Sequence, residues 1–246
     1  KVIAIANQKG GVGKTTTTLE LCSLFGKKYK VLGIDLDSQR NFSMYAGADL
    51  TNVPTVNEVL NAQVLLEDAV QHLKNFDILI GSKELAEASK TFGEPDDIYL
   101  LQDILEDVDT YDYIFIDNAP ARSPLLYMSY LVSDYIIAPA ECDDGALEGL
   151  RELGADINRF KKRKQTNVKV LGLLLNKTEL YGSKVEFNSV LYTDTWDIRK
   201  VISDIQEQHY GMVYLLLEEL ESRFVSFFKL PMFRELYMSK LILFQD

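Results

Sequence analysis

Short runs that are apolar on both faces alternate with stretches of helical period along most of the chain. Residues 2–6, 31–35, 76–80, 113–117, 135–139 and 168–175 read as strands rich in Val, Ile and Leu. Residues 14–27, 83–92, 96–107, 123–132 and 145–164 carry the helical pattern between them. Strands without a polar face belong to parallel sheets covered by helices. The alternation predicts an α/β fold, a doubly wound, mostly parallel sheet with helices on both faces. No repeat, low-complexity tract or linker interrupts it, so a single domain over residues 1–246 is expected. Residues 181–224 break the rhythm. Trp196, Ile198, Val201, Ile202 and Ile205 recur at helical spacing and an apolar run follows at 215–220, which predicts a helical insertion. Residues 240–244 read as a closing strand.

Composition narrows the class. Of the 246 residues, 47% are hydrophobic and 26% charged, enough to bury a core and too few charges for a disordered chain. No window reaches the roughly 18 apolar residues of a membrane-spanning helix. Two cysteines, Cys22 and Cys142, with only His72 and His209 give neither a zinc nor a redox motif and point to a reducing compartment. A net charge of −11 repels nucleic acid as a whole, so any DNA contact needs a local basic patch.

The first strand runs into Gln8-Lys9-Gly10-Gly11-Val12-Gly13-Lys14-Thr15-Thr16, and a helix opens directly after it. In such a turn successive backbone N–H groups converge on phosphate oxygens, aided by the helix N-terminus. Gly10, Gly11, Val12, Gly13, Lys14, Thr15 and Thr16 are therefore candidate nucleotide-binding residues. Lys14 would reach the β/γ-phosphates, and the Thr15 hydroxyl would ligate Mg²⁺. The general motif has glycine where Gln8 stands. Lys9 adds a second positive charge, which repels Lys14 unless dense negative charge arrives.

On these residues the sequence resembles the deviant Walker A class of P-loop NTPases, and within it the ParA-type partition ATPases. The resemblance implies that Lys9 acts with Lys14 in catalysis by reaching the partner's phosphates in a nucleotide-sandwich homodimer formed on ATP binding. Asp35-Leu36-Asp37-Ser38-Gln39 ends the second strand and is similar to the family's Asp-x-Asp-Pro-Gln element, with Ser38 in place of proline. By that likeness Asp37 positions the attacking water and Asp35 lies near the metal shell. Tyr113-Ile114-Phe115-Ile116-Asp117 matches the Walker B strand, which makes Asp117 the third candidate around the metal with Thr15 and Asp35. Asn118-Ala119-Pro120 keeps one proline of a segment that is usually Pro-Pro.

The resemblance is strong over about residues 1–178 and weak beyond. It places Asn176 at a position that contacts adenine in relatives. It implies ATP and Mg²⁺ as cofactors, a ParB-like adaptor and non-specific DNA as partners, no membrane, and a cytoplasmic, nucleoid-associated location. The basic run 159–164 is a candidate for DNA phosphates, or simply complements the end of its helix. Glu94 to Asp112 carries eight acidic residues and no basic one, a solvated face or a docking surface for a basic segment. The alternative is a MinD-like ATP-gated positioning switch on a membrane or protein partner. It asks for a basic amphipathic C-terminal helix, whereas residues 231–246 read as loop and strand.

Overall fold

The computed structural model describes residues 1–141, 144–176, 178–179, 186–187 and 190–192. Six parallel strands make the body of the sheet: β1 (Val2–Ile5), β2 (Val31–Leu36), β4 (Asp77–Leu79), β5 (Tyr113–Asn118), β6 (Tyr135–Glu141) and β7 (Lys169–Asn176). Antiparallel β3 (Gln71–His72) and β10 (Val190–Tyr192) close its two edges, giving the order β10-β7-β6-β1-β5-β2-β4-β3. A separate two-stranded ladder joins β8 (Thr178–Glu179) and β9 (Glu186–Phe187).

Period-two alternation sends successive side chains to opposite faces, and each face has its own helices. Ile3, Ile5, Val31 and Phe115 face α1 (Lys14–Phe25) and α2 (Asn41–Tyr45), where Leu21, Cys22, Phe25 and Phe42 complete one core. Ala4, Ala6, Leu32, Ile34, Ile114 and Ile116 face the other way. They lie under α3 (Val56–Leu60), α4 (Leu66–Ala69), α5 (Ala88–Thr91), α6 (Leu100–Glu106), α7 (Pro124–Val132) and α8 (Asp144–Lys162). The doubly wound sheet expected from the apolar runs is the fold observed. Gly33 serves this packing, because a Cβ there would lie 2.5 Å from the Phe42 ring. That absent side chain lets the Phe42 ring approach the β2 backbone while stacking on Phe76 at 6.1 Å.

Some elements differ from the sequence pattern. The helix expected over 83–92 is a 3₁₀ turn, Lys83–Glu87, followed by the single turn α5, since Leu85, Ala88 and Phe92 supply only one short apolar stripe. Residues 96–107 likewise begin as a 3₁₀ turn, Asp97–Tyr99, whose Asp97 carboxylate accepts from the Glu94 N–H and which runs directly into α6, a common form for a helix start. Within the helical insertion expected at about 181–224, Glu186–Phe187 and Val190–Tyr192 are strands instead. Val190, Leu191 and Tyr192 are good strand formers and pair with the open edge of β7, which the sequence pattern could not supply. The helical pattern at 196–205 and 215–220 and the expected strand at 240–244 lie outside the described residues, as does Cys142.

Candidate nucleotide-binding site

Three neighbouring strands end together. Ile5 of β1 and Asp35 of β2 are both register partners of Asp117 on β5, so the loops leaving β1, β2 and β5 emerge side by side at the carboxyl ends of parallel strands. That crevice is where open α/β sheets hold ligands. Alternation puts Asp35 and Asp117 on the α1 face, beneath the helix that the glycine-rich loop opens.

The loop from β1 reaches α1 through two left-handed turns, Gly11 with φ 76° and Gly13 with φ 96°. Both conformations strain residues with a Cβ, which explains glycine at these two positions. Gly13 caps α1 without any side-chain bond, leaving the first N–H groups of the helix facing the loop. Lys14 is 7% exposed, and its ammonium donates to the Lys9 carbonyl at 2.8 Å, drawing the loop across itself. Burial holds this ammonium below its usual pKa, while Asp117 and Asp37 pull the other way. A buried cation held chiefly by a neutral carbonyl favours an incoming polyanion. Lys9 is half-buried, and its N–H donates to Asn7 Oδ1 at 2.9 Å.

Asp117 is completely buried and accepts from the Thr15 hydroxyl at 2.8 Å and the Thr18 hydroxyl at 3.2 Å. Burial, and then the charge of Asp35, push its carboxyl up to about 7 against those bonds and Lys14. Asp35 is equally buried and pushed up to about 6 by desolvation. Its oxygens accept from the Asp37 N–H at 3.0 Å, the Ser43 N–H at 2.9 Å and the Ser43 hydroxyl at 2.6 Å. The Ser43 hydroxyl in turn accepts from the Gly81 N–H at 3.0 Å, tying the ends of β2 and β4. Asp37 lies just past β2 with its carboxylate on the Gln39 N–H at 2.9 Å, and its carbonyl accepts from Arg40 N–H at 3.0 Å. The turn left open by Ser38 is thus closed by Asp37 itself.

The donor set suits a hard cation. Thr15 gives its proton to Asp117, so its oxygen lone pairs remain available, and the acidic groups around it are all carboxylates. Among the described residues no group of three or more His, Cys, Asp or Glu could hold a metal alone. A cation at Thr15 therefore needs phosphate and water oxygens to complete its shell, which is how Mg²⁺ is usually held.

The structure brings together Lys9, residues 10–16, Asp35, Asp37 and Asp117. Asn176 ends β7, two strands away from β1 in the sheet. In the basic run, Arg159 pairs with Asp156 at 3.4 Å and stacks over Tyr127 and Phe160, so it has a structural occupation. Lys161, Lys162, Arg163 and Lys164 are exposed. Of the acidic stretch, Asp97 caps a turn and Asp112 accepts from the Lys30 N–H; Glu94, Asp96, Asp103, Glu106, Asp107 and Asp109 are solvated. Sequence reasoning did not single out Asn7, Ser43, Gly81 or Asp156. Of these, Asn7, immediately before the loop, was the most accessible signal.

A parallel sheet with a glycine-rich loop, lysine and threonine at the mouth of its first helix defines a P-loop NTPase. Residues 1–170 match the family model described as an AAA domain. The chromosome partitioning protein ParA of Caulobacter vibrioides is 33% identical over 194 residues, covering 76% of this chain and 73% of that one. A plasmid partition protein from Borrelia burgdorferi superposes with a TM-score of 0.65 at 26% identity, over 84% of this chain and 96% of that one. Cobyrinic acid a,c-diamide synthase from Mycobacterium smegmatis, solved with an ATP analogue and magnesium, gives 0.68 at 28% identity, over 72% and 73%. The chain belongs to the ParA-type partition ATPase family.

Proposed function

We propose that the chain is an ATP-dependent, dimerising partition ATPase that binds DNA non-specifically in its ATP state and works with a ParB-like adaptor. The observation that carries this reading is the convergence of Lys14, Thr15 and Asp117 beneath a left-handed glycine loop. In this reading the N–H groups of residues 10–16 and the Lys14 ammonium hold the phosphates, and Asn176 approaches the base. Thr15 is the direct ligand of Mg²⁺, with Asp117 and Asp35 supporting its shell. Magnesium supplies charge neutralisation on the phosphates when bound. Asp37, on the turn after β2, orients the attacking water. Lys9 reaches the triphosphate held by a second copy, which makes dimerisation ATP-dependent. The ATP-bound dimer is the working species and turnover is slow. Lys161, Lys162, Arg163 and Lys164 offer a local basic patch for DNA phosphates on an otherwise acidic molecule. The partition relatives support this reading over the membrane alternative, which turns on residues 231–246 outside the described ones.

The test is gel filtration and ATP hydrolysis for wild type, Lys14→Ala and Lys9→Ala, followed by DNA retention against salt. Wild type should double in size with ATP, Lys14→Ala should lose nucleotide, and Lys9→Ala should bind ATP as a monomer. DNA retention should require ATP and fall steeply with salt. A wild type that neither binds ATP nor changes size overturns the proposal.

A further inference from the structure

Helix α8 rests on the phosphate loop at two places, seven residues apart and hence on one face. At the first, an ideal Cβ on Gly149 would stand 2.5 Å from Asn7 Oδ1 and 3.5 Å from the Lys9 nitrogen, so the bare helix backbone touches the loop. At the second, Asp156 receives the side chain of Gln8, Nε2 to Oδ2 at 3.2 Å. The Asp156 side chain is only 6% exposed, yet it serves more than the loop. Arg122 Nε donates to the same Oδ2 atom at 3.1 Å, and Arg159 reaches Oδ1 at 3.4 Å. Arg122 lies five residues after Asp117, on the segment leaving β5, and Pro120 of that segment faces Gly10 across the crevice. One carboxylate oxygen is thus shared by the first residue of the phosphate loop and by the loop that follows the strand bearing Asp117.

We propose that Asp156 is a positioning residue that couples the β5 loop to the phosphate loop, through the Oδ2 atom that Gln8 and Arg122 share. It touches no reacting atom. Gln8 fixes the chain entering Lys9, whose carbonyl holds Lys14 and whose side chain is proposed above to reach the second copy. When Arg122 shifts with its loop, the charge density left to the Gln8 bond changes, and the loop entry responds. A carboxylate buried this far loses heavily if one of its donors leaves, so the response is cooperative and not a simple sum of two bonds. Gln8 stands where the general motif has glycine, and this contact gives its side chain a purpose. The inference rests on the ATP-binding reading for its functional consequence, although the contact network itself does not.

The test combines a double-mutant cycle with amide exchange. Gln8→Ala, Arg122→Ala, their double variant, Asp156→Ala and Asp156→Asn are titrated with a fluorescent ATP analogue, and hydrogen exchange at residues 8–13 is followed without nucleotide. Asp156→Ala should weaken ATP binding by roughly threefold to tenfold, the scale of one ordinary hydrogen bond lost. Asp156→Asn keeps an acceptor for Gln8 and should recover most of the affinity while losing sensitivity to Arg122. Arg122→Ala should change loop exchange and affinity in the wild-type background and leave both unchanged in Gln8→Ala. Independent, multiplicative effects of Gln8→Ala and Arg122→Ala overturn the coupling. So does an Asp156→Ala chain with wild-type affinity and loop exchange. If wild type binds no ATP, the nucleotide reading falls instead, and the exchange arm still decides the coupling.

Discussion

Asp35 and Asp117 are register partners on β2 and β5, both wholly buried on the same face of the sheet. Burying two like charges side by side destabilises a fold unless a cation joins them. Lys14 faces Asp117 from the loop above, but burial pushes both acids up regardless. The arrangement favours cation binding at the expense of stability in the metal-free protein.

Replacing Asp117 by Asn should therefore stabilise the metal-free chain while impairing Mg-ATP binding. A carboxyl raised from 3.8 to about 7 binds its proton more tightly folded than unfolded. Its contribution to stability consequently falls as pH rises across that interval. In chelator, Asp117→Asn should melt above wild type at pH 8, by on the order of 1–3 kcal/mol, and the gain should shrink towards pH 4. An equal or lower midpoint at pH 8 would show that the Thr15, Thr18 and Lys14 interactions outweigh burial.

Ser43→Ala removes a hydroxyl that donates to Asp35 and accepts from the Gly81 N–H. Two buried groups lose a partner together, so unfolding in urea should register a loss of roughly 1–3 kcal/mol. The turn at residues 37–40 depends on Asp35, and hydrolysis should drop more than ATP affinity does. A variant as stable as wild type would remove Ser43 from this support.

Two glycines of α8 should respond in opposite directions. Gly149→Ala drives a methyl into Asn7 and should cost about 1–3 kcal/mol and weaken ATP binding. An added Cβ at Gly154 meets nothing within 4 Å, so Gly154→Ala should gain roughly 0.5–1 kcal/mol through helix propensity alone. Chemical denaturation of the pair reads both signs, and a harmless Gly149→Ala would contradict the close seating of α8.

Asp37→Ala should leave ATP binding intact and stop hydrolysis, so that the ATP dimer persists on gel filtration after wild type has reverted to monomer. Phosphate release at the wild-type rate would take the water-orienting role away from Asp37.

Much of the body of this fold was legible because a parallel sheet writes itself as doubly apolar runs, and the glycine-lysine-threonine loop is a local signal. Asp35 and Asp117 stand out as candidates because each ends such a run, and Asp37 because the stretch after β2 resembles a family element. Short helices were harder. Asn41–Tyr45 and Leu66–Ala69 are too brief to show a period, and α3 is marked in the sequence only by the Thr55 and Glu58 of its capping box. Ser43 and Asp156 were invisible for another reason. Their partners lie 8 and 148 residues away in sequence, and only the packed sheet brings Asp156 to Gln8. The strand Val190–Tyr192 was misread because pairing at an edge, and not an intrinsic period, decides its state.

Helix α2 is bolted at both ends of a single dipeptide. Phe42 is clamped between the bare backbone of Gly33 and the ring of Phe76, while Ser43 is gripped by Asp35 and Gly81. Residues ahead of this anchor, 38–40, end in Arg40 with a left-handed φ of 57°, an awkward posture for a side-chain-bearing residue. Any rearrangement that γ-phosphate imposes after β2 is thereby confined to a joint a few residues long, hinged against a fixed post, and little of the motion can leak into the sheet.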